Sequence, residues 1–125
     1  MQQDPRYVDV VTGGGALSER LRAAQWTRIA DVLLDPGFGA WCVAAHNYAL
    51  LRAPPRLKLL GRAAAGGTFT AAHSINEVLG TDPSEALNGT TVLNTLALEH
   101  CADVLRVHDV REAAEAEKLV AAFRN

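Results

Sequence analysis

The sequence predicts an α/β fold built on parallel strands, and three observations predict it. Apolar runs of strand length alternate with stretches at helical spacing. Turn or cap signals punctuate the alternation. The order strand, loop, helix repeats, which within one sheet means parallel strands joined by crossover helices. Three strands are expected, near 31–34, 64–70 and 104–107, with at least four helices outside them. A three-stranded parallel sheet cannot close into a barrel and leaves two bare edges. The 125 residues therefore read as one domain, or as part of a larger one.

The elements follow in order. Val8 to Ala24 reads as a helix with Leu17, Leu21 and Ala24 at helical spacing. Its Gly13-Gly14-Gly15 run is a defect, since each Gly costs about 1 kcal/mol inside a helix. Ile29 to Leu34 is a buried strand that runs into the turn Asp35-Pro36-Gly37. Val43 to Ala53 reads as a helix stopped by Pro54-Pro55, and Arg56 to Leu60 as a turn closed by Gly61. Ala63 to Thr70 stands where the next strand belongs, although its Ala and Gly residues fit a pleated sheet poorly. Ser74 to Leu79 is a short helix ended by Gly80. Asp82, Pro83 and Glu85 are N-cap, N1 and N3 of a helix that reaches about His100. Val104 to Val107 is the third strand. Asp109 and Glu112 repeat the cap pattern for a last helix, with Val110, Ala113, Ala116, Val120 and Phe123 on one stripe.

Composition excludes several classes of function. The hydrophobic fraction of 49% is that of a globular chain, aliphatic and poor in aromatics. A net charge of −2, with both signs interspersed, gives no footprint for nucleic acid or an anionic membrane. No apolar run approaches the roughly 20 residues of a membrane helix. The polar opening Met1-Gln2-Gln3-Asp4 is not that of a secretory leader. Cys42 and Cys101 have no second Cys or His at metal spacing, so each is expected to be a buried free thiol.

In parallel α/β folds ligands lie at the C-terminal ends of the strands. Two such ends carry polar groups. Asp35 follows Val32-Leu33-Leu34, and a lone carboxylate there suits a ligand with adjacent N–H donors, because its two oxygens accept two parallel hydrogen bonds. Pro36 and Gly37 make the turn, and Gly39 lets the backbone come close. Taken alone, the same residues are also an ordinary turn. Arg106 and His108 end the last strand just before a helix N-terminus, and residues i and i+2 of a strand share a face. A guanidinium, an imidazole and a helix N-terminus suit a phosphate. The plain alternative is a salt bridge for Arg106 and a simple cap for Asp109.

A resemblance enters with four strings in order: DPGFG at 35–39, HNYALL at 46–51, EALNGTTVLNTLAL at 85–98 and ADVLRVHDVREA at 102–113. Together with QDPRYVDVV at 3–11, they resemble the dihydropteroate synthases from the fifth helix to the eighth. The resemblance implies a partial (β/α)8 TIM barrel, with residues 1–125 as the C-terminal part of a pterin-binding barrel domain. It implies a cytoplasmic transferase of folate biosynthesis. In that reaction the amine of p-aminobenzoate attacks the CH2 of 6-hydroxymethyl-7,8-dihydropterin diphosphate, and diphosphate leaves. By position, Asp35 would hold the pterin ring, Gly37, Phe38 and Gly39 its loop, and Arg106 and His108 the diphosphate. The family's Mg2+ would have its ligands in the half that is absent here, so no metal ligand is assigned in this chain. A homodimer, or a separate N-terminal half, is the partner implied. A non-catalytic pterin-binding module of the methyltetrahydrofolate methyltransferase type and a degenerate remnant remain as alternatives.

The departures are specific. The family usually continues DPGFGFGK, where this chain has Gly39-Ala40-Trp41-Cys42. Its seventh strand usually ends in SRKS, where this chain has Thr70-Ala71-Ala72-His73-Ser74, without Lys or Arg. His73 is at most a partial substitute, and a core or solvated His is the plainer reading. We hypothesise a local frameshift from about Ala63 to His73. A coding string GCT GGT GGG ACT TTC ACG gives Ala65 to Thr70, and read one base later it gives LVGLSR, a usual seventh strand of the family. The coding DNA tests this: codons that cannot yield LVGLSR in the shifted frame rule it out.

Overall fold

The computed structural model describes residues 13–37, 44–52, 55, 58–66 and 72–125. Three chain segments in it run parallel. β1 (Ala65–Gly66) pairs with β2 (Val104–Leu105), Ala65 opposite Val104 and Gly66 opposite Leu105. On the other side of β1, Leu34 makes a single parallel bridge to Ala64. The Leu34 N–H donates to the Ala63 carbonyl at 2.9 Å, and the Ala65 N–H donates to the Leu34 carbonyl at 2.7 Å. The expected order of three parallel segments is therefore present, but the first is one bridge rather than a strand of 31–34. The Arg106 N–H extends the ladder to the Gly66 carbonyl at 2.9 Å.

Five helices flank this ladder among the described residues: α1 (Gly13–Trp26), α2 (Ala44–Leu51), α3 (Ala72–Leu79), α4 (Leu87–Glu99) and α5 (Val110–Arg124). α1 is described from Gly13, and the Gly13-Gly14-Gly15 run lies within it. A 3₁₀ turn at Lys58–Leu60 leads into β1, closed by the bond from the Gly61 N–H to the Lys58 carbonyl at 2.9 Å. A second 3₁₀ turn, Pro83–Glu85, precedes α4. There the Asp82 N–H donates to Glu85 Oε2 at 3.4 Å, so the expected reach-back from N3 is present while the first turn is 3₁₀. Asp109 holds the N-cap position of α5 without a side-chain cap bond; its carbonyl accepts the Ala113 N–H at 3.0 Å.

Register decides which side chains meet. Paired residues in a parallel ladder share a face, and alternate residues along a strand share a face. Leu34, Ala64, Gly66 and Leu105 therefore point one way, toward the helices. Leu34 and Ala64 form one apolar cluster with Leu17, Val32 and Leu60 against them. Leu105 packs on a second cluster, Leu51, Ile75, Leu93 and Ala97, joined by Tyr48, Leu50 and Ala102. The opposite face carries Leu33, Ala65 and Val104, of which Leu33 and Val104 stay 47% and 43% exposed. Ala65, between them, is buried.

One sequence expectation is corrected here, and one is sharpened. Of the α5 stripe, Ala113, Ala116 and Val120 are buried, while Val110 and Phe123 at its two ends are exposed. Cys101 is exposed rather than buried. It has φ +66° just past α4, with the Ala102 N–H donating to the Ala97 carbonyl at 3.0 Å. Helix ends commonly need a left-handed residue at that position, where the side chain faces solvent. Cys42 lies outside the described residues, as do Val8 to Thr12 of the first expected helix and Gly67 to Thr70 of the second expected strand.

The helices interlock through a buried polar contact and a close approach. Asn47 Nδ2 donates to Ser74 Oγ at 2.7 Å, with both residues buried. A Cβ on Gly89 would stand 2.5 Å from Ile75 Cγ2, a methyl fixed next to its own backbone and itself buried. Gly89→Ala is therefore expected to destabilise the chain by about 1–3 kcal/mol, although Ala is the better helix former. Urea midpoints measure this, and in an Ile75→Ala background the same change is expected to cost nothing.

At the N-terminal ends of the strands, Asp103 Oδ2 accepts the Ala64 N–H at 2.8 Å, and Asp103 Oδ1 pairs with Lys58 Nζ at 2.9 Å. The Ala64 hydrogen bond, then the bond from Lys58, hold the Asp103 carboxyl below its ordinary 3.8, against a smaller opposing effect of burial. A depressed carboxyl stabilises the fold fully above the unfolded value and loses that contribution as pH falls through the folded one. Asp103→Asn is thus expected to cost under about 1 kcal/mol at neutral pH, since the pair is solvent-accessible. That difference is expected to vanish once the pH is taken well below 3.8, as urea titrations at both pH values would show.

Candidate functional site

Asp35 is two residues beyond Leu33, and Arg106 two beyond Val104, so each continues the face that carries Leu33 and Val104. Both stand at the C-terminal ends of their segments. They meet across the central strand, with Arg106 Nη1 3.2 Å from Asp35 Oδ2. The expectation that these two residues share one end of the sheet is met. The plain alternative for Arg106, a salt bridge, is also realised, and its partner is the other candidate residue.

The Asp35 carboxylate is oriented from behind by its own turn. The Gly37 N–H donates to Asp35 Oδ1 at 2.8 Å, and Gly37 has φ +80°, a conformation that other residues adopt only under strain. Asp35 is about one-third exposed and Arg106 about half, so the pair is open to solvent. A carboxylate and a guanidinium side by side can receive a neutral ring that carries adjacent N–H groups, and an anion, respectively.

His108 is exposed in the connection between β2 and α5, where its carbonyl accepts the Val110 N–H at 3.1 Å. That bond uses one of the N–H groups at the start of α5. Phe38 and Gly39 lie outside the described residues, so the loop is described only at Gly37. His73 is exposed in the first turn of α3, with Nε2 3.9 Å from Glu77 Oε2 of the same helix. Cys101 has no cysteine partner, and among the described residues no three His, Cys, Asp or Glu converge as a metal site.

The pair Lys58–Asp103 escaped the sequence reading. Its only signal was an Asp directly before a strand, which looks like any loop residue until Ala64 is known to run beside it. A groove of about 520 Å³ between α4 and α5, floored by Ala116, Leu119 and Phe123 and flanked by Glu112, lies on the outer helices. Neither Asp35 nor Arg106 lines it.

Comparison with known proteins bears on this geometry. No family model matches the chain. The dihydropteroate synthase of Escherichia coli K12 is 33% identical over 125 residues, covering 98% of this chain and 44% of that protein. The dihydropteroate synthase of Synechocystis is 37% identical over 94 residues, covering 74% of this chain and 32% of that protein. Among solved structures, the Stenotrophomonas maltophilia dihydropteroate synthase superposes with a TM-score of 0.87 at 35% identity, covering 99% of this chain and 48% of that one. The Thermus thermophilus dihydropteroate synthase in complex with 6HMPPP gives 0.84 at 33% identity, covering 96% of this chain and 48% of that one. The chain thus spans less than half the length of these relatives, and its parallel segments and outer helices are part of a (β/α)8 barrel. In sequence and in fold it is a relative of the C-terminal part of the dihydropteroate synthases.

Proposed function

We propose that residues 1–125 are the C-terminal part of a pterin-binding barrel domain and serve the dihydropteroate synthase reaction. The observation that carries the reading is the ion pair of Asp35 and Arg106 at the strand ends. Support comes from the Thermus thermophilus relatives solved in complex with 6HMPPP and with 4-aminobenzoate.

In this reading the Asp35 carboxylate accepts a ring N–H and the exocyclic amine of the pterin, holding it flat against the strand ends. Arg106 and His108 bind the diphosphate. The amine of p-aminobenzoate attacks the pterin CH2, a C–N bond forms, the C–O bond to diphosphate breaks, and the amine proton is lost. Arg106 and His108 hold the charge that grows on the departing diphosphate. Gly37, Phe38 and Gly39 form the loop beside the ring. Magnesium belongs to this reading through the family alone. The described residues offer no donor cluster for it, and the steps above use only the chain's own groups.

Two partners fit the reading besides the substrates: a second copy of the chain, and a polypeptide supplying the N-terminal half of the barrel. The exposed apolar residues Leu33 and Val104 support the latter. A cytoplasmic location goes with folate synthesis; what the structure adds is that no described helix is long and apolar enough to cross a membrane.

The 125-residue chain by itself is expected to bind the pterin diphosphate without turning it over. Contacts outside it position the substrate, and misplacement by about 1 Å already costs roughly 100-fold in rate. Asp35→Ala and Arg106→Ala are each expected to weaken that binding about tenfold or more, the loss of a charge-assisted bond. Calorimetric titration measures this, and affinity unchanged by both substitutions overturns the reading.

A further inference from the structure

The first turn of α4 sets the side chain of Asn88 beside the backbone nitrogen of Gly89. Asn88 is exposed, and of the five Asn in the sequence it alone is followed by Gly. The others precede Tyr48, Glu77 and Thr95 or stand last, at Asn125, and both Asn47 and Asn94 are buried. α4 starts straight after the 3₁₀ turn Pro83–Glu85, and its first backbone bond runs from the Thr90 N–H to the Ala86 carbonyl at 2.8 Å. The Gly89 N–H stands one residue before that bond, among the donors that a helix leaves unpaired at its start. An N-cap side chain commonly takes the N–H at this third position. Here the N-cap is Ala86, which has no oxygen to offer.

We propose that Asn88 is a site of spontaneous deamidation, with the Gly89 nitrogen as the nucleophile. That nitrogen gives its proton to water or hydroxide and attacks Asn88 Cγ. A C–N bond forms, the bond from Cγ to the side-chain nitrogen breaks, and ammonia leaves. Residues 88 and 89 then share a cyclic imide. Water opens it at one of its two carbonyls. Opening at Cγ leaves aspartate at position 88. Opening at the main-chain carbonyl leaves isoaspartate, with the chain running through Cβ. Only water enters and only ammonia departs. Gly89 has no Cβ to obstruct the attack. The fold tells the two products apart. A carboxylate in the first turn of α4 meets the unpaired N–H groups there, which favour negative charge. Isoaspartate adds one carbon to the main chain just ahead of Gly89, where even a Cβ would lie 2.5 Å from Ile75 Cγ2. The same contact holds Gly89 in place until the turn frays, so the rate follows how often that turn opens.

The test incubates the full 125-residue chain, folded and in guanidinium chloride, at neutral and raised pH, and follows each Asn by peptide mass mapping. Labelling with an isoaspartyl methyltransferase marks the isoaspartate. In the folded chain conversion is expected at Asn88 ahead of the other four Asn, and faster as pH rises. It is expected to be slower than in guanidinium by less than about a hundredfold, since opening at a helix end costs little. Asn88→Gln, whose longer side chain closes the ring poorly, is expected to lose the conversion. Asn88→Asp, which reproduces one product, is expected to keep its urea midpoint. Just below that midpoint, limited proteolysis is expected to consume isoaspartate chains before aspartate chains. Conversion at another Asn first, or a slowing beyond about a hundredfold, toward the scale of global unfolding, overturns the proposal. Equal digestion of the two products overturns the discrimination by Ile75.

Discussion

The arrangement depends on three small residues, Ala64, Ala65 and Gly66. The Ala64 and Gly66 carbonyls take hydrogen bonds from the Asp103 and Arg106 N–H groups on one side. The Ala65 N–H donates to Leu34 on the other, and the Ala64 N–H to the Asp103 carboxylate. Side chains contribute little here, because none is larger than a methyl. Smallness is itself the constraint at Gly66, where a Cβ would lie 2.8 Å from the Ala102 Cβ and 3.2 Å from the Ala97 Cβ. The central strand lies that close beneath the end of α4 because nothing projects from it. A bulkier strand would lift α4, and with it the packing of Leu93 and Ala97 on Ile75.

From that ladder the rest follows by register. Once Ala64 faces Leu34 and Gly66 faces Leu105, the even positions 64 and 66 belong to the helices and position 65 to the opposite face. Asp35 and Arg106 then fall on that opposite face at the same end without any contact specifying them separately. A one-residue slip of either outer segment would turn its charged residue toward the helices. The helix layer is held by different means: the buried bond between Asn47 and Ser74, the approach of Gly89 to Ile75, and the tie of Arg124 to Glu99 at 3.3 Å, which joins the ends of α4 and α5.

Helices were legible in the sequence where caps and spacing agreed. Asp82, Pro83 and Glu85 announced α4, and Gly80 marked the end of α3, with φ +68° and its N–H bonded to the Asn76 carbonyl at 2.7 Å. The parallel order was legible because strand and helix alternate. Strand extent was not: Ile29 to Leu34 has the composition of a buried strand, yet among the described residues only Leu34 of that run is bridged, to Ala64. Cys101 misled because its usual preference for burial gave way to the left-handed backbone at a helix end. For the site, the two residue types and their strand ends were readable. Their mutual ion pair was not, since the distance between Asp35 and Arg106 is set by a ladder that local patterns do not encode.

The same central strand is clasped by charged groups at both ends. Lys58 and Asp103 hold it where β2 begins, and Asp35 and Arg106 face each other where it finishes. The two sets share no side chain, and the short strands keep them on opposite rims of the sheet. Free-energy changes at separate, non-touching sites add nearly independently. Substitutions at Asp35 or Arg106 can therefore change that rim while the other rim goes on securing the register. Change at one rim and robustness at the other become separable traits across the three described segments.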